Sequence, residues 1–329
     1  MEELIQKSVI SLIIAFVVMG ILAIYTSAFA ALSKMSLQGL FFFIIACIFF
    51  LLGILLWVIS WAYLIKKHAK VSYSNLLIVG FSSLFGSLTP VQFGTDALRS
   101  IGLKKHFKIA YSKSISASMI VKGTKFLILT VTFLLVVLTF LANERIDSFV
   151  FFGLVSGFIV VLAATLLFLL PLHKEVGLSI SRFFGWLARD IPLFDYLRKF
   201  FFSYSNYLKT ISLNSLLLTL ILSFFSWIFE FLALQFTFFA VGKDIGLFPV
   251  LVLFVLISVL ERTPLVPRGI GIVEFVGFTY LNMVSRIIKG ATISVAQIGA
   301  VLILFAIVRL AVPIIVSLII AVLFKPKQG

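Results

Sequence analysis

Carboxylates are scarce in this chain: 12 Asp and Glu stand against 27 Lys and Arg in 329 residues. Cysteine is scarcer still. Cys47 is alone, so no disulfide can form within the chain. The three histidines, His68, His106 and His173, are scattered singly, with no metal-ligand spacing around any of them. Long polar stretches are also missing, which leaves no room for a separate soluble catalytic domain. No P-loop, H-E-x-x-H, G-x-S-x-G or dinucleotide-binding glycine motif occurs. A non-enzymatic protein without metal or cofactor is therefore expected.

What the chain has instead is apolar length. Hydrophobic residues make up 62% of it and charged residues 12%. A soluble protein of this size needs far more polar surface, so the composition predicts an all-α polytopic membrane protein. A single integral membrane domain over 1–329, in the cell membrane, is the simplest organisation. The net charge of +15 resembles a nucleic-acid signature. In a membrane protein, however, Lys and Arg collect on the cytoplasmic side, so no nucleic-acid partner is expected. Met1-Glu2-Glu3 lacks a basic leader, and the apolar run after it is too long for a signal-peptide core; it reads as a retained first span. The 38 phenylalanines read as lipid-facing filler.

Hydrophobic windows place six full transmembrane helices at roughly 8–32, 40–65, 114–142, 148–170, 213–241 and 295–324. Two further apolar stretches are interrupted. They are expected to be re-entrant helical hairpins, at about 75–110 and 246–285. With both termini in the cytoplasm, the inner segments collect most of the basic residues, among them Lys66, Lys67, Lys70, Lys104, Lys105 and Lys108. The outer ones keep only Lys34, Arg145, Lys243, Arg286 and Lys289. This N-in, C-in layout puts the hairpins on opposite faces, as an inverted repeat requires. Within 172–211, apolar residues recur at helical spacing on either side of Pro192. Two amphipathic helices lying on the anionic cytoplasmic leaflet account for the pattern. Lys122 and Lys125, early in the third span, are expected to snorkel to the surface.

The two interruptions are built alike. The first runs Ser87-Leu88-Thr89-Pro90-Val91-Gln92-Phe93-Gly94-Thr95-Asp96, with Arg99 beyond; the second runs Arg262-Thr263-Pro264-Leu265-Val266-Pro267-Arg268-Gly269-Ile270-Gly271-Ile272-Val273-Glu274. Thr89, Pro90 and Gly94, then Pro264, Pro267, Gly269 and Gly271, form the helix-break motifs. Every backbone group they free, and every charge, costs free energy in hydrocarbon. Asp96 and Glu274 would sit in the first turn of the helix that follows, stabilising its dipole. A half-helix N-terminus also offers N–H donors to an anion such as a lipid phosphate, with Arg268, Arg99 or Arg262 neutralising it. Glu230 lies deep in its span on a stripe with Ser223, Ser226 and Thr237. Pro313 cannot donate to the Arg309 carbonyl, which is thereby left free. A Glu230–Arg309 or Glu230–Arg268 pair is expected. The candidate substrate-binding set is thus Asp96, Arg99, Glu230, Arg262, Arg268, Glu274 and Arg309. Gly153-Leu154-Val155-Ser156-Gly157 is a weak signal for close helix packing.

On these residues the chain resembles the lysylphosphatidylglycerol synthase transmembrane-region family of flippase-like membrane proteins. Thr89, Pro90, Gly94, Asp96 and Arg99 match its early break loosely. Pro264, Pro267, Gly269, Gly271 and Glu274 match its late break well, and Arg309 fits its last-span arginine. Two departures stand out. Arg268 replaces a usual glycine, and Val121-Lys122-Gly123-Thr124-Lys125 lacks the carboxylates found there in the family. The family's aminoacyl transfer belongs to an appended soluble domain, so the resemblance implies translocation only. The expected substrate is a polar-headed or glycosylated lipid moved between leaflets, its head group held where the two broken helices meet. The alternatives are a small-solute or ion secondary transporter, and a non-transporting scaffold or accessory subunit.

Overall fold

The computed structural model describes residues 2–89, 93–142, 148–172, 174–188, 193–262, 267–287 and 293–324, and among these it is helical throughout, with no strand. Fourteen α-helices are described: α1 Glu2–Thr26, α2 Ala28–Leu32, α3 Leu37–Lys66, α4 Tyr73–Ser82, α5 Phe93–Phe107, α6 Tyr111–Ala142, α7 Ser148–Leu169, α8 Lys174–Leu187, α9 Leu193–Leu208, α10 Leu213–Ala240, α11 Leu247–Leu260, α12 Ile272–Ile287, α13 Val295–Ala306 and α14 Val312–Leu323. Among the described residues, four helical segments are long and apolar enough to cross a membrane: 37–66, 111–142, 213–240 and 295–323. Shorter apolar helical stretches occupy Phe16–Thr26, Val155–Leu169, Leu247–Leu260 and Ile272–Ser285. Helices are the form such sequences must take, because a helix satisfies its own backbone where no water can.

Sequence-level boundaries agree closely with these elements, with two differences. The first apolar run bends at Ser27, whose φ of 55° ends α1 before α2 begins. The last run is not one regular helix, because α13 and α14 are joined by a π-helical turn at Ile307–Ala311. The interrupted stretches are both helix–break–helix elements. In the first, α4 leads into a 3-10 segment, Ser83–Leu88, and α5 follows. In the second, α11 and α12 flank a 3-10 turn at Pro267–Gly269.

The chain divides into two compact units. One comprises 1–55, 81–95 and 225–325. Within it α3 and α10 meet through an aromatic seam: Phe49 stacks on Phe229 at 5.8 Å, and Phe42 and Phe49 both contact Phe236. Part of the phenylalanine content is therefore packing between helices rather than lipid-facing filler. Gly53 lets the Ser226 carbonyl come within 3.0 Å of where a Cβ would stand. In the same unit α13 packs on α1 and α2, with Gly299 against Thr26.

The other unit comprises 56–80 and 96–224. Here α6 and α7 pack side by side. Thr130 and Thr165 share a hydrogen bond of 2.6 Å, and Gly157 admits the Phe133 ring, giving the weak glycine motif a packing role. The amphipathic stretch forms α8 and α9, which close on each other through Phe184 stacked on Phe201 at 5.3 Å. Tyr204 donates to the Phe168 carbonyl and Tyr207 to the Leu64 carbonyl, tying α9 to the ends of α7 and α3. Phe183 and Trp186 remain exposed.

The glycine contacts make a direct prediction. A Cβ at Gly299 would lie 1.9 Å from the Thr26 hydroxyl, whereas one at Gly20 meets nothing within 4 Å. Gly299→Ala is expected to cost about 1–3 kcal/mol through overpacking. Gly20→Ala should be neutral or gain about 0.5–1 kcal/mol. Thermal melts of the two purified variants in detergent check the difference.

Candidate functional site

The two breaks lie in one unit, and they pack against each other. Ile270, beside the second, joins an apolar cluster with Ala306, Leu310 and Ile314, and Phe85 from the first packs on it. The expectation that the two broken helices meet therefore holds for the described parts of the breaks. Pro90 and Pro264 lie outside the described residues.

Thr89 closes the first break. Its hydroxyl donates to the Gly86 carbonyl at 2.8 Å and accepts from the Gly94 N–H at 2.6 Å. Glycine is needed on both sides, since a Cβ at Gly86 would stand 2.2 Å from the Gly94 carbonyl carbon. Ser317 on α14 completes the seal. Its hydroxyl accepts from the Phe85 N–H at 3.0 Å and donates to the Ser82 carbonyl at 2.7 Å.

Arg309 closes the second break. Pro313 has no N–H to give its carbonyl, and the helix widens into the π turn at this point. The freed Arg309 carbonyl accepts from the Arg268 guanidinium. Arg268 itself is left-handed, with φ 48°, and its own carbonyl accepts from Arg309 Nη1 at 2.8 Å. Each arginine thus holds the other's backbone. Arg309 Nη1 also donates to Glu261 at 3.0 Å, and Nη2 donates to Glu274 at 2.6 Å. The second Glu274 oxygen accepts the Gly271 N–H at 2.6 Å, which caps α12. Gly269 and Gly271, at φ 66° and 85°, occupy backbone space that favours glycine.

One of the two expected pairings needs correction. Arg309 does not pair with Glu230; its carboxylate partners are Glu261 and Glu274. Glu230 instead receives the Ser226 hydroxyl, which also donates to the Gly53 carbonyl, and its charge acts on Arg268. Glu261 was missed, although a carboxylate closing an apolar run just before Arg262 is a readable signal. Arg262 donates to the Ser258 carbonyl one turn back.

The other unit holds a second buried charge cluster. Asp96, in the first turn of α5, pairs with Lys122 on α6. Lys122 does not snorkel, and Lys125 is only 8% exposed. Arg99, 0% exposed, lies over two indole rings of α3, 4.2 Å from the Trp57 centroid and 4.9 Å from that of Trp61. Lys125 lies 5.6 Å from the Trp57 centroid. Tryptophans four apart on one helix face were the signal available for this arrangement. The clusters differ in charge. Around the second break Glu261 and Glu274 match Arg268 and Arg309, whereas Asp96 is accompanied by three basic groups. Neither presents an activated nucleophile among the described residues.

Residues 8–323 match the sequence signature of a protein family described as the lysylphosphatidylglycerol synthase TM region. No curated protein and no solved structure matches the chain.

Removing one partner of a buried, hydrogen-bonded charge pair typically costs about 3–5 kcal/mol, because the other charge is stranded. Arg309→Met and Glu274→Gln should therefore each lower the melting temperature, and the double variant should lose less than the two losses combined. A double-mutant cycle in detergent measures that coupling; additive losses would count against the clasp.

Proposed function

This chain belongs to the lysylphosphatidylglycerol synthase transmembrane-region family, and on that premise we propose that it is a flippase-like translocase, not an enzyme, moving a polar-headed or glycosylated lipid between the leaflets of the cell membrane. One observation carries the reading. Two interrupted helices bring their breaks together in one unit, with buried charges in an otherwise apolar interior. Paired broken helices are a recurrent way of placing backbone donors and charges at a membrane substrate site. In the layout proposed, six spans cross the bilayer, the two broken elements re-enter from opposite faces, and both termini are cytoplasmic. The excess of basic residues on the segments assigned to the inside supports that orientation. The exposed Phe183 and Trp186 of α8, with Arg198 and Lys199 on α9, suit the anionic inner leaflet.

A scaffold role has one observation in its favour. The Arg268–Arg309 cluster is matched charge for charge, so it needs no ligand to be stable. The test is head-group exchange between leaflets in liposomes containing the full chain. Wild type should accelerate exchange, and Arg268→Gln and Asp96→Asn should each slow it at least tenfold while retaining a cooperative melt. Wild-type rates in both folded variants would support the scaffold.

A further inference from the structure

The clasp on Arg309 joins two carboxylates that stand in opposite settings. Glu274 lies in the first turn of α12, where the helix dipole favours a negative charge. Both of its oxygens are engaged, one on Arg309 and one on the Gly271 N–H. Glu261 stands at the C-terminal end of α11, where the dipole opposes a negative charge. It meets Arg309 through Oε1 alone, at 3.0 Å. Exposure follows the same order: the Glu261 side chain is 14% exposed, that of Glu274 4% and that of Arg309 1%. Arg262, Arg268 and Arg309 are the charges that act on Glu261, and Glu230 of α10 acts on Arg268 in turn. Three arginines therefore face three carboxylates, and the set is neutral only while all three carboxylates are ionised.

A proton added to such a set has a large effect. Glu261 would exchange its ion pair with Arg309 for a neutral contact, and one positive charge would be left unmatched in an apolar interior, where that is costly. The loss falls on one joint. Arg309 keeps Glu274 and the Arg268 carbonyl, so α12 and the 3-10 turn stay tied to the π turn, whereas the end of α11 loses its ionic hold. Carboxylates at membrane depth mark proton relays in pumps and transporters. We infer that Glu261 is a proton-binding site, and that its protonation frees the end of α11 from the π turn and so couples lipid movement to proton movement. The proton comes from water and returns to it: an O–H bond forms on the carboxyl group at the expense of one in hydronium. Linkage makes the effect reciprocal. What protonation does to the clasp, opening the clasp does to proton uptake, so a pH gradient can drive the cycle. The inference rests on the lipid-translocation reading and adds its energy source.

The test uses the full chain in liposomes, with two readouts. Infrared difference spectra across the pH range in which wild type stays folded read protonation directly. The carboxylic-acid band that grows in wild type as pH falls should lack one component in Glu261→Gln and shift its midpoint in Glu261→Asp. The second readout is head-group exchange between leaflets. An imposed pH gradient should speed wild-type exchange several-fold over the same liposomes treated with a protonophore. Glu261→Gln should exchange at one rate with or without the gradient, and Glu261→Asp should keep a response. Asp195→Asn, at a surface ion pair on α9, should match wild type. A band identical to that of wild type in folded Glu261→Gln would overturn the proton site. If that variant does not fold, an unshifted midpoint in Glu261→Asp would do the same. A gradient response retained by Glu261→Gln, or absent from wild type, overturns the coupling and leaves translocation standing. Titration of Glu261 with no exchange under any condition removes translocation and leaves the proton site.

Discussion

A helix broken inside an apolar interior leaves N–H and C=O groups that water cannot reach, and the arrangement of this protein follows from how those groups are satisfied. Around the second break the answer is one guanidinium. Arg309 holds the ends of both flanking helices through Glu261 and Glu274, and it holds the Arg268 carbonyl between them. Its own carbonyl, left open because Pro313 has no N–H, takes the Arg268 side chain in return. A proline in one helix and a left-handed arginine in a distant turn are thus two halves of one solution. Glu274 joins them by capping α12 with its second oxygen.

The first break uses smaller means. Gly86 and Gly94 let two backbones touch, and a single threonine hydroxyl serves both as donor and acceptor between them. No charge is spent there. The carboxylate that follows, Asp96, pairs with Lys122. Two sequence motifs that look alike therefore do different work. One is sealed by an ion pair, and the other by close approach and a hydroxyl.

Much of this was legible in the chain. Apolar length located the long helices, because hydrocarbon permits almost no other backbone. Thr-Pro and glycine located both breaks, since those residues free or bend the backbone wherever they stand. Pro313, with no N–H to give, marks an open carbonyl at Arg309 in the sequence itself. Pairing was not legible. Glu230 and Glu274 are both carboxylates among apolar neighbours, and only the crossing of α12 with the last helix decides which one Arg309 reaches. Lys122 and Lys125 have stems long enough to snorkel, so spacing alone could not show that Asp96 and Trp57 hold them inside. The aromatic seam between α3 and α10 was hidden for a similar reason: in a chain so rich in phenylalanine, ring-to-ring contacts leave no periodic trace distinct from lipid exposure.

Ser317 and Arg309 stand about two turns apart on the same terminal helix. One seals the first break and the other the second. The helix therefore acts as a shared axle. A rotation by a single residue, about 100°, would withdraw both side chains together, so neither break can be unsealed by turning that helix without unsealing the other. The π turn that carries Arg309, with its wider winding, is the place where such a rotation would meet least resistance from the backbone.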